Sequence, residues 1–144
     1  MIIIKKINES EAKFCFLLDS ESIKLWNYEQ WKSELKNKDI KAIAIYDDKK
    51  FVGACVFQFL LDEAELHFIA IRSKYTRKGL GQILFAEFLN ISKKNNIKKI
   101  FLEVSSINLP AIKFYENLNF KTTSIRKKYY KDGSDAILKT KVIC

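Results

Sequence analysis

Histidine is almost missing from this chain: there is one, His67, in 144 residues. A multi-histidine metal site is therefore excluded, as is a catalytic group built on two imidazoles. Any enzyme here must draw its acid–base chemistry from carboxylates and tyrosines. Cysteine is also scarce. Cys15, Cys55 and Cys144 are odd in number, scattered and without metal-ligand spacing, so neither a disulfide framework nor a metal site is expected. Long apolar runs are absent too. The N-terminal "MIII" is far too short for a signal-peptide core or a membrane span, and a cytoplasmic location is expected. Proline occurs once and glycine four times, and no repeat, low-complexity tract or flexible linker divides the chain. A single domain over residues 1–144 is expected, long enough to bury a core without staples.

What the chain does contain is 48% hydrophobic and 30% charged residues, the balance of a globular protein. Its 26 basic and 17 acidic residues leave a net charge of +9. Such a surplus favours polyanionic partners: nucleic acid, the ribosome or a small phosphorylated cofactor. Lys, Ile and Asn are abundant throughout, however, so most of the lysines read as a solvated surface.

Periodicity predicts a first strand in "MIIIKKI" and a helix in "ESEAKFCFLLDS" with Glu9 or Ser10 near its cap. A second helix is predicted in "NYEQWKSELKN". Three strands follow at 40–46, 50–61 and 64–71, the first two joined by the turn "DDKK". Then come a helix over 80–94, a strand over 98–105 and a helix over 109–118. Two strands in "FKTTSIRKKYY" and "SDAILKTKVI" flank an Asp132-Gly133 turn signal. The order βααβββαβαββ implies an α/β fold: a mixed sheet of six to seven strands flanked by about four helices.

Half of the glycines fall in "SKYTRKGLGQILF", residues 73–85, between a strand and a helix. A helix start leaves backbone N–H groups unpaired and partly positive, and glycines let a pyrophosphate approach them. Arg77 and Lys78 add charge. The same two glycines, Gly79 and Gly81, equally suit a tight turn, and spacing alone does not choose. The stretch is neither a Walker loop nor a full dinucleotide fingerprint, since Leu84 stands where a third glycine is required.

Taken with "FLEVSSINLPAIKFYENLNF" (101–120), this loop resembles the GNAT acetyltransferase superfamily. The first block is similar to that family's [RQ]-x-x-G-x-G/A pyrophosphate loop, and the second to its N-x-x-A-x-x-F-Y-x-x-x-G-F segment. "LDEAELHFIAI" and "IRKKYYKDGSDAILK" extend the likeness over residues 40–143, towards the RimI branch, which acetylates the N-terminal alanine of a small-subunit ribosomal protein. Two positions depart from the pattern. Thr76 opens the loop where the family has Arg or Gln, and Asn119 replaces a glycine, a substitution a left-handed helix end tolerates.

The resemblance implies acetyl-CoA as cosubstrate and no metal. It implies pyrophosphate contacts from Arg77, Lys78, Gly79, Leu80, Gly81 and Gln82, and a pantetheine hydrogen bond from Asn108, itself a plausible N-cap. It further implies that the strand carrying Ile69, Ala70 and Ile71 splays from its neighbour and offers its backbone to the pantetheine arm, one N–H holding the thioester oxygen.

Two side chains are candidates for the proton transfers. Glu103 stands in the apolar strand "IFLEVS", where a carboxylate is costly unless paired, hydrated or functional. A structural salt bridge or an edge-strand acid is the alternative on the residues alone; the resemblance makes it the general base, and burial in such a strand tunes a carboxylate towards that task. Tyr115 shares an apolar stripe with Ala111, Ile112 and Leu118, which suits a packing residue; the resemblance makes it the general acid for the departing thiolate. Glu65, near His67, is the reserve base. Trp26, Trp31, Tyr129 and Tyr130 are candidates for an acceptor groove, and the acids Asp62, Glu63, Glu65 and Glu103 for reversing the field at its mouth.

The expected function is direct acetyl transfer to a protein N-terminal amine, by a cytoplasmic monomer without membrane or nucleic-acid contacts. Other acceptors remain open: another protein N-terminus, a lysine, a polyamine or an aminoglycoside. A basic RNA- or ribosome-binding domain has only the net charge in its favour.

Overall fold

The computed structural model describes residues 1–76 and 78–143. Arg77 and Cys144 lie outside the described residues. The elements follow the order expected: β1 (Ile2–Lys6), α1 (Ala12–Ser20), α2 (Tyr28–Lys36), β2 (Ile40–Asp47), β3 (Lys50–Leu60), β4 (Glu63–Ile71), α3 (Leu80–Lys94), β5 (Lys99–Ser105), α4 (Leu109–Asn117), β6 (Lys121–Arg126) and β7 (Ala136–Val142). Seven strands form one mixed sheet in the order β1-β2-β3-β4-β5-β7-β6. All neighbours run antiparallel except β4 and β5.

Helices cover both faces. On one, α1 and α2 set Cys15, Leu18, Trp31 and Leu35 against Ala44, Val56 and Phe68 of the sheet. On the other, α3 sets Leu80, Leu84, Phe85 and Phe88 against Val52, Phe57, Leu66, Ile100 and Leu102. The i, i+4 pairs Trp31/Leu35 and Leu84/Phe88 supply those apolar stripes. The β2–β3 hairpin turns on Asp48 and Lys49 at φ +48° and +70°, the mirror-image turn whose twist suits antiparallel strands.

The start of α1 differs from expectation. Asn8 caps a 3-10 turn over Glu9–Glu11 through a reciprocal pair of bonds: Ser10 N–H donates to its Oδ1 at 2.8 Å, and Asn8 N–H to Glu11 Oε1 at 3.0 Å. Three short polar residues before the apolar run could each have capped it, and Glu11 selects Asn8 by closing the box.

Candidate active site

The parallel strands β4 and β5 meet only at their beginnings. Their register runs Glu63–Lys99, Ala64–Ile100, Glu65–Phe101 and then stops, although β4 continues to Ile71 and β5 to Ser105. The strands part there, and one edge of β4 is left without a strand partner among the described residues. Its other edge remains zipped to β3, with Ile69 opposite Cys55, Ala70 opposite Ala54 and Ile71 opposite Gly53.

Gly53 marks how closely the chain is folded at the open end. A Cβ there would lie 2.5 Å from Ile71 Cδ1 and 2.8 Å from the Ala70 carbonyl oxygen. An isolated glycine inside a strand pattern signals such a close approach.

β4 also carries a bulge. Val56 pairs with Phe68 and Phe57 with Leu66, so His67 is the extra residue. Before the bulge, Ala64 and Leu66 face α3; after it, Ile69 and Ile71 do, while Phe68 and Ala70 face α1 and α2. Simple alternation in the sequence puts Glu63, Glu65, His67 and Ile69 on one face. The bulge moves Ile69 to the other.

α3 begins beside the opening. Its N-cap, Gly79, is left-handed at φ +74°, and a Cβ added to it would meet nothing within 4 Å. The first helical bond is donated by Ile83 N–H to the Gly79 carbonyl at 3.1 Å, so the N–H groups of Leu80, Gly81 and Gln82 precede the helical ladder. Side chains cap α2 and α4: Gln30 N–H donates to Asn27 Oδ1 at 2.8 Å, and Ala111 N–H to Asn108 Oδ1 at 3.3 Å. At α3 no side chain does so. A Cβ on Gly81 would come within 3.4 Å of the Phe114 ring and 3.8 Å of Ile71 Cγ1, so the start of α3, the end of β4 and α4 converge. The Lys78 Nζ lies 5.3 Å from the Tyr75 ring centre.

Tyr115 projects from α4 on the α3 face. Its ring meets Phe114 and Phe120 edge-on, each at 5.5 Å between centroids. Burial, with a smaller contribution from the neighbouring Cys55, pushes its phenol well above the ordinary tyrosine value.

Glu103 lies on the opposite face. Ile100, Leu102 and Val104 are buried towards α3, and Glu103 is exposed between them. The burial expected from the strand's composition is therefore absent: the sheet is covered on one side only at this point. Its carboxylate is 3.7 Å from Arg126 Nη1, and it faces Tyr130, whose phenol is raised first by burial and then by the field of Glu103. Arg126 in turn lies 5.4 Å from the Tyr129 ring centre, and Tyr129 stacks edge-on against Tyr130 at 5.2 Å. Neither the register nor the periodicity of the sequence pointed to Arg126.

The remaining candidates divide. Trp26 packs 6.2 Å from the His67 ring on the Glu103 face, whereas Trp31 is wholly buried core. Glu65 approaches His67 at 3.9 Å, but Glu63, paired with Lys99 at 3.4 Å, and its neighbour Asp62 lie at the closed end of the strands. No cluster of three or more His, Cys, Asp or Glu side chains placed to hold a metal occurs among the described residues, and no helix among them is long and apolar enough to cross a membrane.

Comparison with known proteins bears on the whole arrangement. The acetyltransferase (GNAT) family profile matches residues 6–120. The chain belongs to that family. An Escherichia coli [ribosomal protein bS18]-alanine N-acetyltransferase is 38% identical over 92 residues, 62% of this chain and 62% of that enzyme's length. A Bacillus subtilis protein provisionally given the same name is 30% identical over 115 residues, 78% of this chain and 76% of the relative. The crystal structure of the ribosomal-protein-S18-alanine N-acetyltransferase from Escherichia coli superposes with a TM-score of 0.89 at 27% identity, covering 99% of this chain and 94% of that one. The seven-stranded mixed sheet with four helices is the GNAT fold.

Proposed function

We propose that residues 1–144 form one acetyltransferase domain that moves an acetyl group from acetyl-CoA to a protein N-terminal α-amine. The preferred acceptor is the N-terminal alanine of a small-subunit ribosomal protein; the Escherichia coli relative is named as a [ribosomal protein bS18]-alanine N-acetyltransferase. The observation that carries the reading is the parting of β4 and β5 beside an α3 terminus capped by a left-handed glycine. These residues fit a long thioester carrying a pyrophosphate. Leu80, Gly81 and Gln82 offer N–H groups to its phosphates, with Gly79 keeping the approach clear and Arg77 and Lys78 adding charge. Ile69, Ala70 and Ile71 offer the unpaired edge of β4, and Asn108 a side-chain amide. When bound, acetyl-CoA supplies an acetyl group activated as a thioester.

The two proton-transfer groups stand on opposite faces of the sheet at the open end. Glu103 takes a proton from the acceptor's α-ammonium, whose pKa is about 8 in free peptides. The amine then attacks the acyl carbon directly, with no covalent intermediate on the protein. Tyr115, held protonated by burial, gives a proton to the departing thiolate. The partners are thus acetyl-CoA and a peptide N-terminus; the protein acts as a cytoplasmic monomer and requires neither a metal nor nucleic acid.

Incubation with acetyl-CoA and a panel of peptides differing in their first residue, read by mass spectrometry, tests the acceptor. Alanine-initiated ribosomal sequences should gain one acetyl group fastest; preference for a lysine side chain or a polyamine would overturn the acceptor assignment. Glu103→Gln should lower kcat about 100-fold with acetyl-CoA affinity unchanged. If kcat is untouched there and lost in Glu65→Gln, the base is Glu65.

A further inference from the structure

The loop between α1 and α2, residues 21–27, is anchored at both of its ends. At its far end the anchor is Asp19, fully buried in the last turn of α1. Its carboxylate accepts from Leu25 N–H at 2.8 Å, Trp26 N–H at 3.0 Å and Trp31 Nε1–H at 2.9 Å. Those bonds fold the loop back and seat Trp26 edge-on against Trp31 at 4.8 Å, beside the bulged His67 on the Glu103 face. At its near end, Glu21 Oε1 accepts from Ser73 N–H at 2.9 Å, 52 residues along the chain. Ser73 opens the 3-10 turn that leads into the glycine loop, and the turn is knit by Tyr75 N–H to Arg72 O at 2.8 Å and the Thr76 hydroxyl to Ser73 O at 3.0 Å.

Glu21 is poorly placed for stability. It is the exposed C-cap of α1, where the helix dipole disfavours negative charge. What it gains is one charge-assisted bond to a distant backbone N–H. The position makes sense as a link between two working parts: the loop that leads to α3 and the wall that carries Trp26.

We propose that Glu21 is a positioning residue that couples the cofactor loop to the acceptor wall. Through Ser73 it holds the approach to the glycine loop, and through residues 21–27 it transmits the ordering of that loop to Trp26. Filling the cofactor site then preorganises the acceptor wall, and the effect is reciprocal. The inference rests on the assignment of CoA to the glycine loop.

Calorimetry on the full chain tests it, with CoA as the probe because it binds without reacting. CoA is titrated alone and with a saturating alanine-initiated peptide. In the parent protein the peptide should tighten CoA binding several-fold. Glu21→Ala should weaken CoA about tenfold, the worth of one charge-assisted hydrogen bond, and bring the ratio with and without peptide to one. Glu21→Gln, whose amide oxygen still accepts from Ser73, should restore most of that ratio. Trp26→Ala should abolish the ratio while leaving the affinity for CoA alone intact. If CoA binds the parent but the ratio is one, or is the same in Glu21→Ala, the coupling is refuted and the acetyltransferase reading stands. If CoA does not bind the parent at all, both fall.

Discussion

Gly53 and Gly79 are glycines for different reasons, and alanine separates them. At Gly53 the obstacle is steric, since a Cβ would press on the Ala70 carbonyl and Ile71 across the β3–β4 ladder. Gly53→Ala should lower stability by about 1–3 kcal/mol, read as a lower urea midpoint at constant slope. At Gly79 nothing obstructs a Cβ; the constraint is φ +74°. Gly79→Ala should cost about 1–2 kcal/mol through the backbone alone, with thermal unfolding as the measure. Tyr115 yields a pH prediction. Burial raises its phenol above the ordinary value of 10, so its contribution to stability is complete below that pH and is lost as pH climbs from 10 through the folded value. The phenol therefore stays protonated and neutral throughout the neutral and mildly alkaline range. A fall in kcat between about pH 8 and pH 10 that disappears in Tyr115→Phe would show the phenol ionising in that range and contradict its elevation by burial, while a kcat unchanged in Tyr115→Phe would remove it as the acid.

At the level of elements, the chain announces itself clearly wherever its signals are local. The 3.6-residue stripe of α3, the left-handed Asp48-Lys49 turn and the alternation of β5 each lie within one short stretch, and all the strands and helices are readable in order. Features that depend on distant partners are not readable. The bulge at His67 exists only against β3, and "AELHFIAI" alternates plausibly with or without it. The exposure of Glu103 depends on nothing covering that face of β5, and Arg126 reaches it from the edge strand β6. Asp19 belongs to this class as well: it reads as one more polar residue ending a helix, yet it is the buried acceptor of three bonds. Asp19→Ala would strand those donors, at about 1–3 kcal/mol each. A total loss of at least about 3 kcal/mol in chemical denaturation is expected, with loss of the near-ultraviolet tryptophan signal before the far-ultraviolet one.

Across the whole molecule the net charge is +9. The acids Glu63, Glu65 and Glu103 stand next to Lys99, His67 and Arg126, and Glu63 is at the closed end of the strands. Acid does act on the connection between β6 and β7. Asp132 accepts from Ser134 N–H at 2.8 Å and from its hydroxyl at 2.6 Å, and Asp135 accepts from Lys128 N–H at 3.0 Å. These bonds hold both carboxyls below their ordinary value of 3.8, so their stabilisation is present above that pH and is lost as pH falls through the depressed values. Acidification below about pH 4 should release the Tyr129–Tyr130 stack before the sheet melts, visible as a tyrosine signal change preceding loss of strand content. The parted strands have a consequence for steady-state behaviour. Because the gap opens through the sheet, the two reactants on the proposed reading use different doorways, and neither product has to wait for the other. Initial-rate lines at varied peptide should intersect. CoA should inhibit competitively against acetyl-CoA alone, and the acetylated peptide against the free peptide alone.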